Sequence, residues 1–130
     1  MKTIILFLSF FMNVWGGDPF MDVSTEVLEA VKQGNATAIA KHFNDKIDLK
    51  ILDQEDVYSK AQAELVLKDF FAKHPVKSFV ESHSSNAKSA NQFVVGALTT
   101  TKGNFRVSFL LKKFGERFLI SQFRIENDND

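Results

Sequence analysis

The part of the chain that most constrains the fold follows Pro75, where four consecutive segments have the pattern of β-strands. They are VKSFVESHS, QFVVGALTTT, FRVSFLLKKF and RFLISQFRIE. All four are rich in the β-branched and aromatic residues that strands favour. Short segments containing Asn, Ser or Gly separate them, which indicates hairpin connections. We therefore expect four antiparallel strands whose sheet needs helices to cover one face.

The segment YSKAQAELVLKDFFAKHP, just before these strands, predicts the main covering helix. Ser59 caps this helix, and Gln62 three residues later completes a capping box. Its apolar stripe consists of Ala61, Leu65, Val66, Leu67, Phe70 and Phe71. Pro75 ends the helix, because proline lacks the backbone N–H that a helix interior requires.

Two shorter helices and a strand pair are predicted before this long helix. The first helix begins with a cap at Asp22 or Ser24. The second is capped by Asn35 or Thr37 and runs through Phe43. The segment KIDLKILD then alternates apolar and charged residues with a period of two, which predicts a half-buried strand, and the short VYS predicts its returning partner.

The last hairpin has apolar residues on both faces if its two strands alternate regularly. One face is predicted to hold Phe105, Val107, Phe109 and Leu111 with Phe118, Ile120, Gln122 and Arg124. The other is predicted to hold Arg106, Ser108, Leu110 and Lys112 with Leu119, Ser121, Phe123 and Ile125. A second subunit on the outer face would explain this pattern, so we expect a homodimer. The alternative is a strongly bent sheet whose buried face changes along its length.

The N-terminus, MKTIILFLSFFMNVWGGDPF, has the pattern of a signal peptide. Lys2 precedes an apolar run, and Gly16-Gly17 supplies small residues at its end. The run is short for a transmembrane span, which needs about 20 apolar residues. We predict a signal peptide at residues 1–17, export to the periplasm or the medium, and a single domain at residues 18–130 without stable membrane insertion. An uncleaved anchor or a buried first helix is the alternative.

Composition argues against several classes of function. The formal net charge is zero, with 16 acidic and 16 basic residues, so no basic surplus indicates a nucleic acid or anionic lipid partner. The chain has no cysteine, which excludes disulfides, thiolate nucleophiles and cysteine zinc sites. Three separated histidines and isolated glycines predict no metal site, no phosphate loop and no cofactor. His42 and His74 lie at predicted helix ends, where a cation suits the helix dipole.

The order of these elements resembles the nuclear transport factor 2-like superfamily, also called cystatin-like. The segments GNATAIAKHFNDKIDL, YSKAQAELVLKDFFAKHP and FGERFLISQFRIE look like a family of small exported bacterial proteins of unknown function with that fold. The resemblance implies an α+β fold in which a cone-shaped, strongly curved antiparallel sheet packs against three helices from the N-terminal half. It also implies a cavity and a tendency to dimerise.

Glu81 and His83 are the candidate acid and base. Two residues that are two apart on a regular strand share a face, and a carboxylate can orient and charge an imidazole. If that face, which Phe79 shares, lines the cone, the pair can transfer protons to and from a substrate. If Val80 faces the cone instead, both residues lie on the surface.

The candidate ligand pocket is built from Tyr58, Phe109, Gln122 and Arg124. Tyr58 precedes the long helix, where its phenol reaches either a cavity or a structural hydrogen bond. Gln122 and Arg124 share the predicted face of Phe109, so they form a polar rim at the cavity mouth. Arg124 can instead extend outward into solvent at the strand end.

Three hypotheses of function follow from these observations. The first is a noncatalytic exported module that dimerises through its sheet and binds a small apolar ligand, a peptide or an envelope protein. The second is a small ketosteroid isomerase-like or dehydratase-like enzyme that uses Glu81, His83 and Tyr58. The third is a purely structural interaction protein whose cone is filled by Phe side chains, of which the chain has 14.

Overall fold

The computed structural model describes residues 22–86 and 91–128. The predicted signal peptide at residues 1–17 lies outside the described residues, as does part of the predicted turn after the first C-terminal strand. Within the described residues, no helix is long and apolar enough to cross a membrane.

The described residues form three helices and six strands. The helices are α1 (Val23–Lys32), α2 (Ala36–Ala40) and α3 (Lys60–Lys73). The strands are β1 (Phe43–Ile51), β2 (Gln54–Ser59), β3 (Val76–Asn86), β4 (Gln92–Thr100), β5 (Gly103–Phe114) and β6 (Arg117–Asn127). All six strands belong to one sheet with the order β2-β1-β6-β5-β4-β3. The α+β fold predicted from the sequence is confirmed.

Two of the predicted helix caps are present. The side chain of Asn35 accepts a hydrogen bond from the backbone N–H of Ala38 over 3.0 Å. At α3, the hydroxyl of Ser59 accepts from the N–H of Gln62, and the side chain of Gln62 accepts from the N–H of Ser59, both over 3.2 Å. This capping box fixes the start of α3 by satisfying backbone donors that a helix leaves without intrahelical partners.

The sheet is antiparallel in every pairing except one. β6 continues from the β3–β4–β5 meander and pairs with β1 in parallel, with Leu49 opposite Phe123 and Ile51 opposite Ile125. The sequence predicted an antiparallel sheet throughout, because hairpin signals indicate only how strands that follow each other in the chain pair. The β1–β6 pairing corrects this prediction. The parallel pairing joins the N-terminal and C-terminal halves of the chain into one sheet.

The helices cover one face of this sheet, which we call the inner face. α3 contributes Ala63, Leu67, Phe70 and Phe71 to the core. These positions follow the helical spacing i, i+4, i+7 and i+8, so a single side of α3 is buried. The predicted stripe was wrong at Ala61 and Leu65, which are both exposed, Leu65 by 64%.

Two predicted boundaries near β1 were also wrong. Phe43 is the first residue of β1, because α2 ends at Ala40. β2 begins at Gln54, before the predicted VYS segment, and the turn between β1 and β2 is Leu52-Asp53. A polar strand at this position is physically reasonable, because β2 is an edge strand and most of it is exposed.

The strands contain bulges that decide which residues face the core. β3 has an extra residue at Ser82, because Glu81 pairs with Gly96 and His83 pairs with Val95. β6 has an extra residue at Ser121, because its neighbours Ile120 and Gln122 pair with the consecutive residues Leu111 and Leu110. A bulge bends its strand and increases the local twist, which curves the sheet around the helices.

Candidate binding surfaces and clefts

Aromatic side chains fill the space between the sheet and the helices. Phe109 on β5 stacks on Phe123 of β6 with ring centroids 6.0 Å apart, and Phe43 meets Phe123 edge-on at 6.1 Å. All three are at most 1% exposed. Phe109, predicted as part of a ligand pocket, is therefore a core residue in this structure.

The bulge at Ser82 separates the predicted acid and base. Glu81 is opposite Gly96 and lies on the inner side with Phe79, whereas His83 is opposite Val95 and lies on the outer side. Both side chains are exposed. The hypothesis that they share a face was wrong, because regular alternation does not hold across an inserted residue.

The bulge at Ser121 reverses the predicted positions in β6. Phe123 and Ile125 are fully buried on the inner face, and Gln122 and Arg124 lie on the outer face. Gln122 and Arg124 therefore form no rim at the mouth of the cone, and Arg124 instead pairs with Glu55 at 3.0 Å. Much of the apparent two-sided apolar character of the last hairpin comes from this bulge, as the bent-sheet alternative predicted.

Tyr58 lies on the edge strand β2, opposite the buried Ile47 of β1. Its side chain is half-buried and packs against the core. The ring therefore covers the edge of the core, and the structural hydrogen bond given as the alternative for its phenol stays a prediction.

One part of the outer face is charged, and we call it the charged patch. It consists of Lys50, Glu55, Arg106, Arg124 and Glu126. Glu126 accepts hydrogen bonds from Lys50 over 2.9 Å and from Arg106 over 3.2 Å. The hydrogen bond from Lys50 lowers the pKa of the Glu126 carboxyl, and Arg106 acts in the same direction against the opposing effect of burial.

The neighbouring part of the outer face is apolar, and we call it the apolar patch. It consists of Val80, Phe93, Val95, Ala97 and Leu110. The strand register makes the patch continuous, because Val80 pairs with Ala97 and Phe93 pairs with Leu110. Val80 is 62% exposed. Within the described part of the chain, the helices pack on the opposite face and leave this patch uncovered.

A histidine and a carboxylate meet at a cleft where α1, the end of α2 and the β5–β6 turn approach each other. Nε2 of His42 lies 3.2 Å from Oε1 of Glu26, and the His42 side chain is only 17% exposed. Burial lowers the pKa of His42, although Glu26 opposes this effect. The adjacent cleft has a volume of about 400 Å³. Sequence reasoning missed this pair, because residues so far apart along the chain show no spacing signal.

A second cleft, of about 390 Å³, lies between the C-terminal half of α3 and the β1–β2 turn. Leu52 in this turn has a φ of 58°, a left-handed conformation that bulky residues rarely adopt. Its N–H donates to the carbonyl oxygen of Ile125 over 2.8 Å, and its side chain packs against the core. His74, on the same cleft, stacks on Phe70 with ring centroids 4.2 Å apart.

Among residues 22–86 and 91–128, no group of three or more histidines and carboxylates is placed to hold a metal ion. The geometry of the described residues thus offers two outer-face patches and several clefts rather than an enclosed polar cavity.

The fold places this chain in the nuclear transport factor 2-like, or cystatin-like, class of α+β proteins. A domain of unknown function with a cystatin-like fold from Nostoc punctiforme aligns with 81% of this chain and 72% of its own length, with a TM-score of 0.63. The two sequences are 9% identical, so this likeness concerns the fold alone.

The family is more specific than the class. Residues 24–126 match the domain of unknown function DUF4783, and the chain belongs to that family. A DUF4783 protein from Bacteroides uniformis is 34% identical, with 84% of this chain and 100% of that chain covered and a TM-score of 0.79. A DUF4783 protein from Bacteroides ovatus is also 34% identical, with 81% and 94% covered and a TM-score of 0.75. No curated protein matches the chain.

Proposed function

We propose that this protein is an exported, noncatalytic binding module that forms a homodimer through the apolar patch of its sheet. The observation that carries the proposal is the continuous apolar surface formed by Val80, Phe93, Val95, Ala97 and Leu110, which the described helices leave uncovered. A two-fold dimer would bury this patch against its own copy, because a two-fold interface is self-complementary.

The charged patch supports this placement of the interface. Its ion pairs are formed within one chain, so the charged groups next to the apolar patch require no partner of their own. An apolar centre beside a polar margin is the usual arrangement of a protein–protein interface.

The filled cone supports a noncatalytic role. Phe43, Phe109 and Phe123 occupy the interior, and the predicted acid and base are on opposite faces of β3. Proton transfer by Glu81 and His83 on a shared substrate would require both groups on one side of that substrate. No observed geometry favours the enzyme hypothesis for this pair.

The proposal is tested by placing a charge in the apolar patch. Val80→Lys should weaken self-association of the chain without residues 1–17 by about 100-fold, because dimer formation would bury an unpaired ammonium. Sedimentation equilibrium measures the change. Leu65→Lys is the matched control, because Leu65 is 64% exposed on α3, away from the patch, and Val80 is 62% exposed.

Two outcomes would contradict the proposed interface. One is equal weakening by Val80→Lys and Leu65→Lys, and the other is an unmodified chain that sediments as a monomer at every concentration. Export is a separate part of the proposal and rests on the N-terminal pattern of a signal peptide. Intact mass of the protein recovered from the cell envelope should show the loss of residues 1–17.

A further inference from the structure

The backbone holds His42 firmly at the cleft between α1 and β6. Its N–H donates to the carbonyl oxygen of Ile39 over 3.0 Å, and its carbonyl oxygen accepts from the N–H of Ile120 over 2.7 Å. Because Nε2 faces the carboxylate of Glu26, the neutral imidazole carries its proton on Nε2. His42 lines the cleft, and no described residue forms a hydrogen bond with its Nδ1.

The lining of this cleft combines an apolar surface with two cations. The lining residues are Val23, Lys41, His42, Glu116, Arg117, Phe118 and Leu119. Lys41 and Arg117 are exposed, and neither is in an ion pair with another described residue. Glu116 is the acidic residue in the lining, so the two cations outnumber it.

We propose that this cleft binds a small amphiphilic anion. Lys41 and Arg117 hold its carboxylate-type head group, and Val23, Phe118 and Leu119 contact its apolar body. Arginine and lysine both bind carboxylates through charge-assisted hydrogen bonds, and arginine can do so with two parallel bonds. The volume of about 400 Å³ falls within the range of small-molecule sites.

The state of His42 provides an independent readout of occupancy. Burial lowers the pKa of His42, and the charges that face it are Glu26, which raises the pKa, and Lys41 and Lys60, which lower it. An anion bound in the cleft adds a negative charge that favours the imidazolium form. Binding should therefore raise the pKa of His42, whereas a purely structural link between His42 and Glu26 predicts no response to an added anion.

The experiment is a titration of the chain lacking residues 1–17 with octanoate, followed by NMR of the His42 imidazole. We expect a saturable shift of the imidazole signals and a rise in the pKa of His42. Lys41→Gln and Arg117→Gln should each weaken octanoate binding by about tenfold, the loss expected for one charge-assisted hydrogen bond. Lys113→Gln is the control, because Lys113 is an exposed cation of the same hairpin that does not line the cleft.

Octanol and octylammonium distinguish the contribution of the carboxylate head group from that of the apolar body. Both share the apolar body of octanoate, and both should bind more weakly, octylammonium most weakly of all because Lys41 and Arg117 repel it. Three results would overturn the proposal: no saturable binding of octanoate, equal binding of octanol or octylammonium, or affinity that Lys41→Gln and Arg117→Gln leave unchanged. All of these results are independent of the proposed dimer interface, because none of the apolar patch residues lines the cleft.

Discussion

The charged patch and the apolar patch lie side by side on one face of one sheet, but they differ in whether their side chains have partners within the chain. In the charged patch, Glu126 pairs with Lys50 and Arg106, so opposite charges within the chain meet each other. In the apolar patch, Val80 pairs with Ala97 across two strands, and its outer surface stays in contact with solvent. Polar groups can be satisfied locally, whereas apolar groups gain stability only when another surface removes them from water.

The largest expected effect comes from disturbing the layer beneath the apolar patch. A Cβ atom on Gly96 would lie 2.5 Å from Cζ of Phe79 and 2.8 Å from the carbonyl oxygen of Val80. Gly96→Val should therefore displace β3 from β4 and lower the free energy of unfolding by about 3 kcal/mol. Urea unfolding followed by circular dichroism measures this change.

Thr99→Val is the control for that substitution, because Thr99 lies on the same strand and on its outer face but outside the apolar patch. Its effect on the free energy of unfolding should stay within about 0.5 kcal/mol. Equal effects of the two substitutions would contradict the close packing of Phe79 over Gly96.

A smaller effect is expected from removing the central carboxylate of the charged patch. Glu126→Gln leaves Lys50 and Arg106 without their shared anion and should lower the free energy of unfolding by about 1 kcal/mol. Glu29→Gln is the matched control, because the Glu29–Lys32 pair on α1 is half exposed on both sides and should contribute almost nothing. If thermal unfolding shows the same loss for both variants, the charged patch is no more stabilising than an ordinary surface pair.

The smallest expected effect is a two-stage loss of stability on acidification. The folded state lowers the pKa of His42 below 6.5. On acidification, the unfolded chain therefore binds a proton at this histidine before the folded chain does, and the free energy of unfolding begins to fall below pH 6.5. The folded state also lowers the pKa of Glu126 below 4.5, so its contribution is complete above pH 4.5 and is lost as the pH falls through the folded-state value. Urea midpoints measured across this range should decrease in both stages.

Glu126→Gln separates the two stages, because it should remove the second and leave the first unchanged. The apolar patch has no titratable group and contributes to neither stage. A flat stability profile between pH 6.5 and 4.5 would contradict the buried position of His42.

Local patterns predicted much of the fold. The capping box of Ser59 and Gln62 and the cap at Asn35 depend on residues close together in sequence, and the structure confirms both. The four C-terminal strands were also predictable, because their composition and turns are local signals.

The positions of the candidate site residues were less predictable, because single inserted residues decide them. Ser82 and Ser121 are ordinary strand residues in composition, yet each reverses the facing of the residues that follow. The pairing of His42 with Glu26 depends on how α1 packs beside the end of α2. No periodic pattern in the sequence indicates that packing. Leu65 was misassigned for the related reason that packing, rather than spacing, decided which side chains were buried. Phe43 is buried as expected, but it begins β1 instead of belonging to α2.

The parallel pairing of β1 with β6 has a consequence for the order in which the chain can fold. β6, the last of the described strands, lies between β1 and β5, so the sheet stays in two separate pieces until β6 has been made. Contacts between strands this far apart in sequence form slowly, because a long loop must close first. A chain with this arrangement cannot complete its sheet before β6 is synthesised, and an incompletely folded chain is the state in which the proposed export would carry it across a membrane.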